Sequence, residues 1–140
     1  MDELREMIEI EYEKLEHVIN GLPDKNNLPY LSELELAGVA TYLHNFFNGI
    51  ENILKRIFKS SNFELPTGPS WHIDLLNLAV YHRIISNDLK NMLTRYLGFR
   101  HFFTHAYAID LYADKLEELV ENVISTYEHF KKEINHIAKK

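Results

Sequence analysis

The sequence contains no cysteine. That excludes disulfides, thiolate-held metals and cysteine nucleophiles together, and is compatible with a reducing compartment. No apolar run approaches the ~18 residues of a membrane-spanning helix. The first six residues hold Asp2, Glu3 and Glu6 against Arg5 and are acidic on balance where a signal peptide is basic, so the cytoplasm is the expected location. There is no glycine loop ending in Gly-Lys-Ser/Thr and no Gly-x-Ser-x-Gly elbow, which sets aside P-loop nucleotide hydrolysis and serine hydrolysis by those routes. Strand-like alternation, internal repeats and low-complexity tracts are missing too. At 140 residues, 46% apolar and 26% charged, the chain has the length and balance of one globular domain spanning residues 1–140.

What is present is helical periodicity. Leu4, Ile8, Tyr12, Leu15 and Ile19 recur at steps of three and four, the spacing of one buried helix face. Residues 21–30, with two prolines and paired asparagines, stop that helix in a turn region. Leu36, Ala40, Leu43, Phe47, Ile50, Leu54 and Ile57 form the strongest stripe in the chain. A second loop over residues 63–70 leads to a short helix over 71–81, with Ser70 as its expected N-cap and Trp71 as a core residue. After a break near residues 84–86, Leu89, Met92, Tyr96, Phe99 and Phe103 mark a fourth helix that ends between 103 and 108. The last runs from about Asp114, with Leu116, Val120, Val123, Tyr127, Phe130, Ile134 and Ile137 in register. The expected fold is all-α, an antiparallel up-and-down bundle of four long helices plus a short fifth.

A net charge of −6 speaks against indiscriminate coating of nucleic acid, but the charge is uneven. Seven acids face Arg5 and Lys14 in the first twenty residues, whereas Arg83, Lys90, Arg95 and Arg100 face Asp88 alone over residues 83–108. Within that basic stretch, Arg100, His101, His105 and Tyr107 fall inside eight residues. A guanidinium is a planar fork of donors suited to phosphate oxygens. An imidazole takes and returns a proton near neutral pH. Cleaving an RNA phosphodiester needs both: a base for the ribose 2′-hydroxyl, and a cation for the charge that builds on phosphorus. Five residues of regular helix set positions 100 and 105 about 140° apart. The two groups converge if the arginine reaches around, or if the helix unwinds before His105. On residue types alone Arg-x4-His is a weak signal, and a surface arginine with a satisfied helix-end histidine is the better reading.

Other features of the sequence carry weaker signals. His101 and His105 share a helix face, but Phe102 stands where a zinc protease has glutamate and no third ligand is evident, so no metal is expected. Glu133 and His136 form a single Glu-x-x-His where a di-iron bundle needs two, and read as a solvated last turn. Glu51 reads as a solvated helix glutamate or as a group orienting a catalytic side chain. Gly98 either permits close approach of a ligand or backbone, or is simply tolerated. Leu93 and Leu97, beside Tyr96 and Phe99, give the fourth helix either a wide core face or a second packing side.

The segment Arg100-x4-His105-x-Tyr107 closely resembles the signature of the HEPN superfamily, and its longer form resembles the HepT toxin branch. Residues 47–57 and 69–76 also read like HepT-related proteins, and the similarity spans roughly residues 31–137. The resemblance implies a two-fold dimer with both motifs in a shared cleft, acting as a metal-independent endoribonuclease toxin without cofactor. By this similarity Arg100 binds the scissile phosphate, His105 is base or acid, and His101 fills the usually polar position after the arginine. The implied partners are RNA and a cognate nucleotidyltransferase antitoxin of the MNT type, which AMPylates Tyr107. A different reading of the same chain is a non-catalytic nucleotide- or substrate-binding subunit of a nucleotidyltransferase.

Overall fold

A computed structural model describes residues 2–105 and 113–138, with the side chains of residues 3–99 and 113–137. It is all-helical, with no strand among the described residues. The α-helices are α1 (Asp2–Gly21), α2 (Glu33–Ser60), α3 (Trp71–Tyr81), α4 (Asn87–His105) and α5 (Ala113–Ala138). Four are long, at 20, 28, 19 and 26 residues, and α3 has 11. Residues 21–30, expected as turns, hold a 3-10 helix at Lys25–Tyr30. Asp24 explains it: its carboxylate accepts the Asn26 N–H, and fully buried Leu28 anchors the segment in the core.

Local chemistry sets the helix ends. Ser32 and Glu35 form a capping box over α2, with Ser32 Oγ accepting the Glu35 N–H (3.1 Å) and Glu35 accepting the Ser32 N–H (3.0 Å). Ser70 precedes α3 as expected, but its hydroxyl donates to Asp74 (3.0 Å) and makes no cap bond. The ends of α2 and α3 share one device. Phe63 N–H returns to the Phe58 carbonyl, and Ile84 N–H to that of Ala79, with Asn62 and Arg83 left-handed at φ 60° and 61°.

The buried stripes fuse into one cluster drawn from every helix. In α2 all seven stripe positions from Leu36 to Ile57 are buried. Leu4, Ile19 and Ile137, at the ends of their stripes, are half-buried. Leu93 is fully buried and Leu97 half-buried against the core, so the wide-core reading of α4 holds for Leu93. Trp71 is half-buried rather than core. Helices α1 and α2 approach so closely at Gly49 that a Cβ there would sit 2.5 Å from Leu15 Cδ2.

Long-range bonds fix the directions. Met7 and Glu11 of α1 meet Arg56 of α2, while Leu15 meets Gly49, so the two helices run oppositely. Tyr12 donates to Asn135, and Tyr127 to Glu16 (2.6 Å), setting α5 against α1 in the same sense. Ser86 meets Glu133, Arg95 pairs with Glu118, and Tyr96 bonds Leu119, so α4 opposes α5. Two reversals make α2 parallel to α5, and the third makes α4 antiparallel to α2.

Candidate functional site

Helix α4 carries the Arg/His motif and is held firmly along its first three turns. Ser86 Oγ accepts the Leu89 N–H (3.1 Å) at its start. The Ser86 N–H and O–H both donate to the Glu133 carboxylate of α5 (2.6 and 2.7 Å), which also meets His129 Nε2 at 2.6 Å. Glu133 is therefore half-buried and committed to tying α5 to α4, not a solvated last-turn residue. Leu89, Leu93, Tyr96 and Phe99 fill the core side. The Tyr96 hydroxyl donates to the Leu119 carbonyl (2.8 Å), its ring lies 5.2 Å from that of Phe46, and burial pushes its pKa up to about 12.

This anchoring presents the backbone at Arg100 one turn beyond Tyr96. Helix α4 continues through His105, so the chain does not unwind ahead of the histidine. Of the two ways for the motif to converge, the remaining one in a single chain is the reach of the arginine. The side chains of Arg100, His101 and His105, and all of Tyr107, lie outside the described residues. Gly98, on the exposed side of α4, has no atom of the described residues within 4 Å of a Cβ built on it, so their packing does not demand a glycine.

A large open cleft, about 1190 Å³, lies elsewhere. It is bounded by Arg83, Ser86, His129, Lys132 and His136, at the N-terminal end of α4. Nineteen residues of helix separate that end from His105, about 27 Å.

Glu51 departs most from its expected role. It is 2% exposed, not solvated, and its carboxylate lies 2.5 Å from Nδ1 of His72 at the start of α3. Burying a carboxylate without compensation is costly, and an imidazole proton supplies part of that compensation. The sequence carried a signal for this. Position 51 is four beyond Phe47 and three before Leu54, inside the buried arc rather than outside it. His72 went unremarked because nothing local distinguishes it. Among the described residues no three His, Cys, Asp or Glu side chains gather as metal ligands, and no helix is long and apolar enough to cross a membrane.

A family model described as HepT-like protein matches residues 38–140, a span holding α3, α4, α5 and most of α2, and with them every motif residue. No curated protein and no solved structure matches the chain. By that match over most of its length, the chain belongs to the HepT-like protein family of the HEPN superfamily.

Proposed function

We propose that this protein is a metal-independent endoribonuclease toxin. In this reading it is one domain over residues 1–140, folded as an up-and-down antiparallel bundle and working as a cytoplasmic homodimer with a shared cleft. The observation that carries the reading is Arg100-x4-His105-x-Tyr107 at the C-terminal end of a firmly anchored α4, inside the family-matched span.

The chemistry follows from the residue types. His105 takes the ribose 2′-hydroxyl proton, the 2′-oxygen attacks phosphorus, and the 5′-oxygen leaves with a proton from an imidazolium. The products are a 2′,3′-cyclic phosphate and a 5′-hydroxyl. Arg100 stabilises the extra charge on the phosphoryl oxygens, with His101 beside it as a polar support. One helix sets positions 100 and 105 about 140° apart. A two-fold axis answers that by bringing a second motif to the same phosphate, and provides separate histidines for base and acid.

Control would act at Tyr107. An AMP ester there adds negative charge and bulk two residues from His105, repelling an RNA phosphate. A nucleotidyltransferase antitoxin is the partner that would install it.

The deciding experiment incubates purified full-length protein with RNA in EDTA. Cleavage to cyclic phosphate ends is expected. Binding of RNA with no cleavage at any protein concentration would overturn the ribonuclease reading and favour the non-catalytic subunit. Intact-mass analysis after co-expression with a candidate nucleotidyltransferase should show gains in multiples of one AMP, lost in Tyr107→Phe.

A further inference from the structure

The contact between α2 and α3 holds an arrangement that the cleavage chemistry leaves unused. Glu51 fixes His72 through Nδ1 (2.5 Å), and the His72 side chain keeps 17% of its surface exposed. Its Nε2 has no partner among the described residues and is not one of the buried polar atoms left unsatisfied, so it opens to solvent. With Glu51 ionised, Nδ1 carries the proton and Nε2 presents a lone pair, or a second N–H once the ring is protonated. The ring of Trp71 lies on that of His72, with centroids 3.6 Å apart. Lys55, one turn beyond Glu51, places its ammonium 4.2 Å from the Trp71 ring centre. Trp71, His72 and Lys55 are all half-exposed. Core packing accounts for none of the three polar ends.

We propose that Lys55, Trp71 and His72, braced by Glu51, form a contact site for a nucleotide of single-stranded RNA that flanks the scissile phosphate. The site rests on the ribonuclease reading and adds to it. A flat indole beside a cation and an open imidazole nitrogen matches what an unstacked nucleotide offers: a base face, a phosphate and hydrogen-bonding edges. The ammonium over the indole is a contact that a base can replace, freeing Lys55 for a phosphate.

The register makes this a flanking contact rather than a second proton-transfer group. Phe46 faces Tyr96, and α2 and α4 run oppositely. Arg100 therefore lies about 6 Å to one side of that contact and Glu51 about 7.5 Å to the other. Along the helix axes Glu51 lies about 14 Å from Arg100 and Lys55 about 20 Å, too far for His72 to reach the phosphate held at Arg100 but within a run of several nucleotides. An acidic chain of net charge −6 binds RNA through such local groups rather than through its overall field.

Trp71 is the chain's single tryptophan, so its emission reports on this site alone. The test titrates the full-length protein with a fluorescein-free 2′-O-methyl RNA 12-mer, which lacks the nucleophile, and reads Trp71 emission. In parallel, the anisotropy of a labelled copy reads binding anywhere. Saturable quenching that tracks anisotropy is expected. Lys55→Gln should lower the slope of log Kd against log salt by about 1, a change that loss of packing does not produce. Trp71→Phe should raise KM for a cleavable RNA and leave kcat as it was. Binding by anisotropy with unchanged Trp71 emission would overturn the site and leave the ribonuclease reading standing. Quenching with no cleavage of ordinary RNA would support the site and sink the catalytic reading.

Discussion

Helices α2 and α4 pack against each other, yet they use their residues differently. In α2 the buried set runs nearly end to end, from Leu36 to Phe58, and a capping box fixes its start. Glu51 is the one acid inside that set, and it is bound to His72. In α4 the described stripe is Leu89, Leu93, Tyr96 and Phe99, and the sequence beyond it mixes Arg100, His101 and His105 with Phe102 and Phe103. α2 is a helix built for the core; in the ribonuclease reading α4 serves the core through Phe99 and the site beyond it. Where local preference and packing agree, a residue is explained by the fold, and where they part, a site is the first explanation to test.

The sharpest break of that contrast is chemical. His105→Ala should lower RNA cleavage by roughly 10²–10⁴-fold, the usual worth of a positioned acid–base group. Arg100→Ala should cost about 10²–10³-fold, as for lost oxyanion donors. In the ribonuclease reading both variants should melt within a few degrees of the parent by circular dichroism, because each group acts on the phosphate rather than in packing. Phe47→Ala should behave oppositely. Fully buried in α2, it should lose about 3–5 kcal/mol in urea unfolding, and whatever protein stays folded should still cleave. A His105→Ala protein that unfolds, or a folded Phe47→Ala protein that has lost activity, would erase the distinction between the two helices.

Most helix positions were legible because their apolar steps are long and regular: α3 falls at Trp71–Tyr81 as read, and α5 begins one residue before Asp114. The 3-10 turn at Lys25–Tyr30 was not, since prolines and asparagines announce a bend without saying which hydrogen bonds it makes. Glu133 and Glu51 were misjudged for one reason. A charged residue near a helix end, or at the edge of an apolar arc, reads as solvated until its partner is known, and Ser86 and His72 lie 47 and 21 residues away. The Arg/His motif was legible by resemblance rather than by physics, because residue types five apart do not specify convergence. That α4 stays helical to His105 could be known only from the structure.

A pH titration probes the anchoring of α4 and the α1–α5 contact more gently. Burial raises the Tyr96 pKa on α4 to about 12, and raises those of Tyr12 and Tyr127, where α1 meets α5, well above the ordinary phenol value. A raised pKa means the neutral form is favoured in the folded chain. These groups therefore contribute fully below pH ~10, and the contribution is lost as pH rises toward the folded values. Glu16 works in the other direction. The Tyr127 hydroxyl and Lys131 lower its pKa, so its contribution holds above the ordinary carboxylate range and fades as pH falls through the lowered value. Urea midpoints should thus fall steeply above pH 10 and mildly below pH 4.5. Tyr96→Phe should flatten the alkaline limb; an unchanged limb would mean Tyr96 does not stay neutral when folded.

The smallest effect bears on the stretch of α4 that leads to Arg100. Gly98 sits two residues before Arg100 on an exposed helix surface, and a Cβ there meets no atom of the described residues within 4 Å. Glycine in a helix interior costs roughly 0.5–1 kcal/mol relative to alanine, through the freedom lost on folding. If Gly98 is merely tolerated, Gly98→Ala should stabilise the protein by about that amount in urea unfolding and leave cleavage untouched. If an RNA backbone or a second subunit passes close to this face, the same methyl should stabilise the isolated chain and still weaken cleavage or dimerisation. Measuring unfolding, sedimentation and cleavage on one preparation distinguishes the two, since simple tolerance predicts higher stability with cleavage and dimerisation unchanged, and a contact role predicts higher stability with one of them weakened.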